Sequence, residues 1–597
     1  TPGTKQSESS DYEPSLPVTE KSNPLTRDID RASPSGIVGM LEACDAQMFQ
    51  RETGTNYQRL FDDQVVTTLT EVAKRVELIL KDPQDSLVVL SGCGTSGRLA
   101  FFISRFNEAL KQLNRTLVYS YIIAGGDRAL LSSQEAPEDD PELGMLSLQK
   151  VCEGKKRVLF IGVSCGLSAP FVAGQLDFCL QHPEVYTPVL LGFNPTHQAR
   201  DEPIPGCTFT FRSVAQRLQE LAQRRKAFLI NPAVGPEAIS GSSRMKGGSA
   251  TKIVLEVVFL LYINKGIAAS KKTSCLLHSG ILQHMREYER AVEMTYQHRE
   301  GIAALVENEG GVCYLGWGPM AFLGLMDASE CNPTFGAGER KKRWRGFIRG
   351  GYKDLNNNEG PLSSLGPDFC IAHEDFLHQV LPSLTDRDTV LLIYTQSDDL
   401  HEVVNLGRKV REKTSNIHAV HHRTDSVEAL LNKLCIFDTF WQWELSTKLV
   451  LNAVSTGAHI LKGKIYRNHM IDLQVTNSKL YRRAARLLQK LSGQAETECE
   501  GALLKAIYRA DKLTEEITSC DITAHTQVAR SAKKVVPLAL VSLLTAHCVV
   551  ALAPSVCECV RARGNGPCDY KALWVLNRTI QVSATSTSTI SSNACAV

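Results

Sequence analysis

The feature that most constrains the fold is an alternation of short apolar, β-rich runs with helical segments, which occurs twice along the chain. The first series has its apolar runs at residues 87–90, 118–124, 158–163, 188–192 and 227–231. The second series has them at residues 312–316, 344–348, 390–394 and 417–420. Strands that alternate with helices predict a parallel sheet covered by helices on both faces. We therefore predict two α/β domains in tandem.

The two series also resemble each other residue by residue. Residues 90–94 (LSGCG) are echoed by 314–318 (YLGWG), and residues 249–256 (SATKIVLE) by 445–452 (LSTKLVLN). Generic strand–helix units can match by chance, but two matches in the same order favour a duplicated domain. Two copies in one chain predict a monomer that acts as an internal pseudo-dimer.

Composition and the remaining patterns complete the domain prediction. A chain of 597 residues with 43% hydrophobic and 22% charged residues is typical of a globular protein that is too long for one core. Helical patterns replace strand patterns after about residue 493, and the apolar segment 535–553 is interrupted by polar residues, so we interpret it as a buried helix. The predicted parts are a flexible arm (1–36), a first α/β domain (37–285), a second (286–498), a helical cap or lid (499–580) and a disordered tail (581–597).

Charge, cysteines and histidines exclude several classes of partner. The net charge of +2 gives no reason to expect nucleic acid or an anionic membrane. The 18 cysteines form no CxxC pairs, a pattern typical of reduced thiols in a cytosolic or nuclear protein. The 15 histidines show no metal-ligand spacing, so we expect no metal.

Residues 91–98 (SGCGTSGR) are the first candidate ligand site, because they join a buried strand to a helix N-terminus. Gly94 helps the backbone to turn tightly, while Thr95 and Ser96 place hydroxyls beside unpaired amides at the positive end of the helix dipole. The turn lacks the lysine of a nucleotide P-loop and the full GxGxxG spacing. It therefore favours a phosphate carried by a small molecule.

Two more hydroxyl-rich turns, at residues 162–168 and 240–246, precede predicted helices. A single serine in such a place is commonly only a helix N-cap. Three turns at the carboxyl edge of one parallel sheet, however, would converge where such sheets bind ligands. The candidate residues in the second turn are Ser164, Cys165, Gly166 and Ser168, and those in the third are Ser242 and Ser243.

Taken together, the motifs resemble the sugar isomerase domain family, in its N-acetylmuramic acid 6-phosphate etherase branch. The resemblance is carried by 91–98, 235–252 and 448–493, with additional matches at TEKSN (19–23), NHM (468–470) and TNSKL (476–480). Within that branch the chain, over about residues 17 to 575, is most similar to non-catalytic regulators of glucokinase (hexokinase type IV), which have two such domains and a helical cap.

The resemblance implies a site for fructose 6-phosphate and fructose 1-phosphate and no other cofactor. Thr95, Ser96 and the serines of the other two turns would hold the phosphate and nearby hydroxyls, Glu138 would contact the sugar, and Lys479 would close on it from the cap. The resemblance also implies that the chain inhibits glucokinase and retains it in the nucleus, so that both nucleus and cytoplasm are expected locations. Fructose 6-phosphate would strengthen the complex and fructose 1-phosphate would weaken it. Without the family, Glu138 and Lys479 would be ordinary solvated side chains.

One departure from the etherases predicts how the site is built. The etherases carry a second glutamate twelve residues after the GxG turn; here that position is Phe106 in the first half and Glu330 in the second. The second half, in turn, has PMAF (319–322) in place of the hydroxyl-bearing TSGR (95–98). We therefore expect one hybrid site, with phosphate loops from the first half and Glu330 reaching across from the second.

Alternatives remain at this point. Glu138 and Glu330 as an acid and base would suit a lyase that removes a lactyl ether, whereas an aldose–ketose isomerase lacks an evident His-plus-Glu pair. Phe440, Trp441 and Trp443 are candidate anchors for the partner, or rings that fill the core. The basic cluster 340–343 is a weak candidate for an import signal and more typical of a solvated loop.

Overall fold

The computed structural model describes residue 13 and residues 16–50, 57–267, 274–307, 310–335, 344–423 and 433–545. The chain divides into two compact units, Thr1–Ala458 and His459–Val597. Among the helices of the described ranges, none has the length and apolar character required to cross a membrane. The predicted tail (581–597) and the basic cluster (340–343) lie outside the described residues.

The first sheet of the larger unit has the five predicted strands: β1 (Ser86–Gly92), β2 (Tyr119–Ile123), β3 (Arg157–Val163), β4 (Tyr186–Leu191) and β5 (Phe228–Ile230). All neighbours pair in parallel in the order β2-β1-β3-β4-β5. The order changes direction between β1 and β3, and ligands of open α/β sheets bind at the carboxyl ends beside such a switch point. The first two candidate loops follow these two strands.

Helices surround this sheet and bury its apolar residues. Val89 in β1 and Phe160 in β3 are 0% exposed because helices cover both faces. The helices in this part of the chain are Pro34–Ala46, Asp63–Lys81, Gly94–Ser104, Phe106–Gln112, Arg128–Leu131, Pro141–Val151, Pro170–Gln181, Phe211–Ala222, Lys246–Ile267, Ser274–Tyr296 and Arg299–Val306.

The second sheet repeats the arrangement with the four predicted strands: β6 (Val312–Gly316), β7 (Trp344–Ile348), β8 (Thr389–Thr395) and β9 (Ile417–His422). They pair in parallel in the order β7-β6-β8-β9. The helices that follow or flank them are Met320–Thr334, Tyr352–Leu355, His373–Asp375, Leu400–Arg411 and Lys433–Leu461. The prediction of two tandem parallel-sheet α/β domains is therefore confirmed.

Over residues 459–545, the part that the structure describes, the smaller unit is helical apart from one short antiparallel pair, β10 (Ile465–Tyr466) and β11 (His469–Met470). Asp472 accepts from Lys464 at 2.8 Å and also pairs with Lys534, which ties the start of the unit to its last described helix. The described helices are Ser478–Ser492, Glu496–Tyr508, Glu515–Ser519, Ile522–Ala529 and Val535–Thr545. The last of these confirms the buried helix predicted for 535–553 as far as the structure describes it.

The prediction of a flexible arm over 1–36 was wrong for its second part. Val18–Glu20, Pro24–Thr26 and Ile29–Arg31 form short 3-10 turns against the first domain. The side chain of Asn23 donates to the carbonyl of Pro236 at 2.8 Å, and Thr26 donates to that of Ala238 at 2.7 Å. The segment is polar because its side chains satisfy backbone carbonyls of the stretch that leads into the third candidate loop.

Candidate functional site

The first loop opens the helix Gly94–Ser104 directly at the end of β1. Gly94 has φ +51°, a left-handed conformation that glycine adopts without strain. Gly97 lies so close to β2 that a Cβ there would be 2.5 Å from Ile123 Cγ1. The helix N-terminus is thus pressed against the sheet beside the switch point, where the amides of Ser96 and Gly97 donate to the carbonyl of Cys93 at 3.0 Å and 3.3 Å.

Contacts between side chains bring the three loops together. Ser96 Oγ lies 3.6 Å from Cys165 Sγ, which in turn lies 3.7 Å from Thr251 Oγ1. A methyl group built on Gly247 would lie 3.5 Å from Cys165 Sγ and 3.6 Å from Ser243 Cβ. The first, second and third predicted turns therefore meet around Cys165, as the sequence predicted, with Ser242 buried in the same third turn.

The second loop is held partly by its own serine. Ser164 Oγ accepts hydrogen bonds from the backbone amides of Ser168 at 3.1 Å and Ala169 at 3.3 Å, so it fixes the loop just before the helix Pro170–Gln181. Gly166 is fixed by Asn194, which donates to its carbonyl oxygen at 3.0 Å. Ser164 is therefore not the N-cap of this helix, and because its oxygen only accepts in these two bonds, its hydroxyl proton can be donated to a ligand.

Glu138 and Lys479 occupy different environments. Glu138 is buried in the 3-10 turn Ala136–Asp139, which packs against the helix that the second loop opens. It is therefore not a solvated carboxylate. Lys479 is half-buried in the first turn of the helix Ser478–Ser492, in the smaller unit, after the N-cap Asn477. Its approach to a sugar from the cap stays a prediction.

Glu330 is the carboxylate that the second half contributes. Its Oε1 lies 3.6 Å from Nη1 of Arg98, the last residue of the first loop, and both side chains are at most 3% exposed. Neither carboxylate oxygen has a hydrogen-bond partner at normal distance within the described residues. Burial raises the pKa of Glu330, and the positive charges of Arg98, Lys448 and Arg244 offset this only in part. A longer hydrogen bond with the side chain of Thr95 in the first loop also favours the charged form, so the carboxylate borders the anion-binding loop and can accept from sugar hydroxyls.

A second connection between the halves stabilises the third loop. Arg244 pairs with Asp327 at 3.0 Å and donates to the hydroxyl of Thr456 at 2.7 Å. Asp327 belongs to the same helix as Glu330, so this helix contacts both the first and the third loop. Arg244 lies in the third turn and Asp327 lies three residues before Glu330, but the pairing of the two could not be predicted from either local stretch.

Glu237 and Lys448 also belong to the site, although the sequence motifs did not identify them. The carboxylate of Glu237 accepts from the amides of Lys246 and Gly247, both at 2.8 Å, and so caps the helix of the third turn. Burial raises its pKa to about 7. Lys448 reaches the third loop from the second half and donates to the carbonyl of Arg244 at 2.8 Å. The echo of 249–256 by 445–452 was the signal that could have identified this lysine.

The equivalent place in the second half is filled with rings. Phe322, at the position that Arg98 has in the first half, lies 4.8 Å from the ring of Phe101 and 5.8 Å from that of Phe102. Phe106, at the position of Glu330, stacks on Trp441 with 4.6 Å between ring centroids and 8° between planes. The residues that each half lost are thus replaced by apolar packing.

This packing corrects the proposal of Trp441 as a surface anchor. Trp441 is only 6% exposed and contacts the first domain, so it stabilises the junction between the halves. Trp443 is half-buried and stacks on His422 at 5.8 Å. The side chain of Phe440 lies outside the described residues.

Comparisons with known proteins agree with this architecture. Three family descriptions match: "Glucokinase regulatory protein N-terminal SIS domain" at residues 71–180, "Glucokinase regulatory protein, second SIS domain" at 296–441, and "C-terminal lid domain of glucokinase regulatory protein" at 467–560. The chain is 49% identical over 574 residues to glucokinase regulatory protein of Xenopus laevis, covering 91% of each chain. It is 46% identical over 605 residues to that of Homo sapiens, covering 95% of each. N-acetylmuramic acid 6-phosphate etherase of Bacillus cereus is 33% identical over 233 residues, which cover 36% of this chain and 76% of the etherase.

Proposed function

The chain belongs to the glucokinase regulatory protein family, and on that premise we propose that it binds and inhibits glucokinase under the control of a sugar phosphate. The sugar phosphate would bind where the three loops of the first half meet Glu330 of the second. Fructose 6-phosphate would strengthen the complex with glucokinase, and fructose 1-phosphate would weaken it.

The observation that carries this proposal is the contact of Glu330 with Arg98. Because the phosphate loop comes from one half and the carboxylate from the other, a ligand that touches both would respond to any shift between the halves. A ligand changes the affinity for a partner only if it binds the two conformations differently, and a difference of about 1–3 kcal/mol is sufficient. A site shared between two domains is a suitable place for such a difference.

The direct test is inhibition of purified glucokinase by the purified chain, with each fructose phosphate added in turn. We expect inhibition that deepens with fructose 6-phosphate and is relieved by fructose 1-phosphate. Absence of inhibition under all three conditions would contradict the proposal. We further propose that the chain retains glucokinase in the nucleus and is present in nucleus and cytoplasm, which co-expression of fluorescent fusions tests.

A lyase of the etherase type is the second candidate. Glu330 favours it, because a buried carboxyl with a raised pKa beside a phosphate loop suits a general acid or base. Against it stands the contact of Glu330 with Arg98, which holds the carboxylate in an ion pair. Incubation with N-acetylmuramic acid 6-phosphate and a lactate assay separates the two: steady release of lactate identifies a lyase, and none is expected from a regulator.

A further inference from the structure

Two lysines occupy equivalent positions in the two repeats, Lys252 in SATKIVLE and Lys448 in LSTKLVLN. Both are almost completely buried, with at most 1% of the residue exposed. A buried ammonium group requires compensation, because removing a charge from water is costly. The two lysines receive this compensation in different ways.

Lys252 is neutralised by carboxylates. Its Nζ lies 2.5 Å from Glu256 and 3.2 Å from Glu444, both with side chains that are 0% exposed. Arg105 also pairs with Glu444, so two cations and two carboxylates balance in this cluster. This ion-pair cluster and the rings of Phe322 and Phe106 fill the place in the second half that is equivalent to the candidate site.

Lys448 has lost both of these carboxylate partners. The position equivalent to Glu256 is Asn452, whose Oδ1 accepts from Lys448 Nζ at 2.7 Å, and the position equivalent to Glu444 is Gly248. The other acceptors are the carbonyls of Arg244 at 2.8 Å and Met245 at 3.3 Å and the hydroxyl of Ser249 at 3.3 Å. All four acceptors are neutral, and in the described part of the chain no carboxylate lies within 4.0 Å of this nitrogen. No carboxylate therefore pairs directly with this ammonium group, although the charges of Glu330, Asp45 and Glu237 act on it from farther away.

This charge lies beside the phosphate loops. A methyl group built on Gly248 would lie 3.2 Å from Lys448 Nζ and 3.1 Å from Thr95 Cγ2, so the ammonium group and the first loop border the same small volume. These distances are shorter than ordinary van der Waals contacts, so glycine at 248 lets Lys448 and Thr95 approach each other, where a glutamate would displace them. We propose that Lys448 supplies the buried positive charge that selects a phosphate dianion in the hybrid site, acting through space and by fixing the third loop.

Titration of Lys448 gives a measurable consequence. Burial lowers the pKa of Lys448 to about 8. The charged groups that face it are Glu330 on the helix Met320–Thr334, Arg244 and Glu237 around the third loop, and Asp45 on the helix Pro34–Ala46. A bound dianion would raise the pKa of Lys448 again, so binding near pH 8.5 takes up protons. The ester itself does not contribute there, since its second pKa is about 6.

This inference rests on the proposed sugar-phosphate site. One calorimetric series distinguishes failure of the proposed site from failure of the role of Lys448. Fructose 6-phosphate is titrated into the full chain, K448M and K448R at pH 8.5, in buffers of different ionisation enthalpy. We expect the unaltered chain to bind fructose 6-phosphate with uptake of protons. K448M should bind it about 10- to 100-fold more weakly, and K448R should retain most of the affinity. Neither variant should take up protons on binding.

Each other outcome overturns a specific statement. Absence of binding by the unaltered chain contradicts the proposed function and, with it, the role of Lys448. Binding without proton uptake, or equal affinity of K448M, contradicts the role of Lys448 and leaves the site itself in place. If K448M does not fold, as judged by its melting temperature, proton uptake by the unaltered chain and its loss in K448R still decide the question.

Discussion

Arg98 and Glu330 come from different repeats of the chain, yet they form a buried ion pair with 3.6 Å between Nη1 and Oε1. In the first repeat the residue equivalent to Glu330 is Phe106, and in the second the residue equivalent to Arg98 is Phe322. The two halves of a duplicated domain have thus diverged in a complementary way. One complete set of polar groups remains, distributed over both halves.

The substitution Glu330→Gln tests whether this carboxylate contacts the sugar. We expect the affinity for fructose 6-phosphate to fall about tenfold, because an amide is a weaker acceptor for sugar hydroxyls than a carboxylate. Binding of inorganic phosphate should be unchanged or tighter, since Arg98 loses its counter-charge. Calorimetry on the variant and on Glu300→Gln, an exposed glutamate, provides the comparison. Unchanged affinity for fructose 6-phosphate would count against the hybrid site.

Trp441 has a structural role in our account. Trp441→Ala should lower the free energy of unfolding by about 3–5 kcal/mol, because it removes a buried ring that stacks on Phe106. Trp443→Ala, at a half-buried position, should cost clearly less. Denaturant unfolding measures both, and inhibition of glucokinase is assayed in parallel. A Trp441→Ala variant with unchanged stability and lost inhibition would instead restore the interpretation as a partner anchor.

Two helices of the first domain pack through glycines. A Cβ on Gly144 would lie 2.1 Å from the carbonyl oxygen of Phe171, and one on Gly174 would lie 2.2 Å from that of Pro141. Gly144→Ala should therefore destabilise the chain by about 1–3 kcal/mol through overpacking. The matched control is Gly39→Ala in the helix Pro34–Ala46, where a Cβ meets nothing within 4 Å. There the change should be neutral or stabilise by up to about 1 kcal/mol. Equal effects in thermal or denaturant unfolding would refute the close approach.

The buried His373 and the half-buried His422 predict a loss of stability in acid. Burial lowers the pKa of His373 and of His422 to about 4 in the folded state. Between about pH 4 and 6.5 the unfolded chain then binds more protons than the folded chain, so the free energy of unfolding falls as the pH is lowered through this window. Each histidine contributes up to about 3 kcal/mol. His422→Gln should flatten the dependence, and an unchanged slope would contradict the assignment.

The sequence predicted most of the fold because its signals are local. Apolar runs such as 87–90 and 312–316 are long enough to identify buried parallel strands, and all nine predicted strands are present. The arm was misjudged because its residues are polar. Asn23 and Thr26 nevertheless pack well, since their hydrogen bonds go to Pro236 and Ala238, more than 200 residues away in sequence.

The candidate site was only partly predictable, because sequence signals are local and several of its contacts join distant segments. Loops that follow β1 and β3 must lie at one sheet edge, so the meeting of Ser96 and Cys165 follows from topology. The contacts of Arg98 with Glu330 and of Arg244 with Asp327 depend on how two domains dock, which local patterns do not contain. Lys448 could not be identified from the sequence, because lysine side chains are mostly exposed to solvent and only the surroundings show that this one is buried.

The measurement that tests the central claim most directly is calorimetric titration of the full chain with fructose 6-phosphate and fructose 1-phosphate, with and without glucokinase. We expect the chain to bind one molar equivalent of either ester. Adding glucokinase should raise the affinity for fructose 6-phosphate and lower the affinity for fructose 1-phosphate. Two equivalents per chain, or affinities that glucokinase does not change, would contradict it.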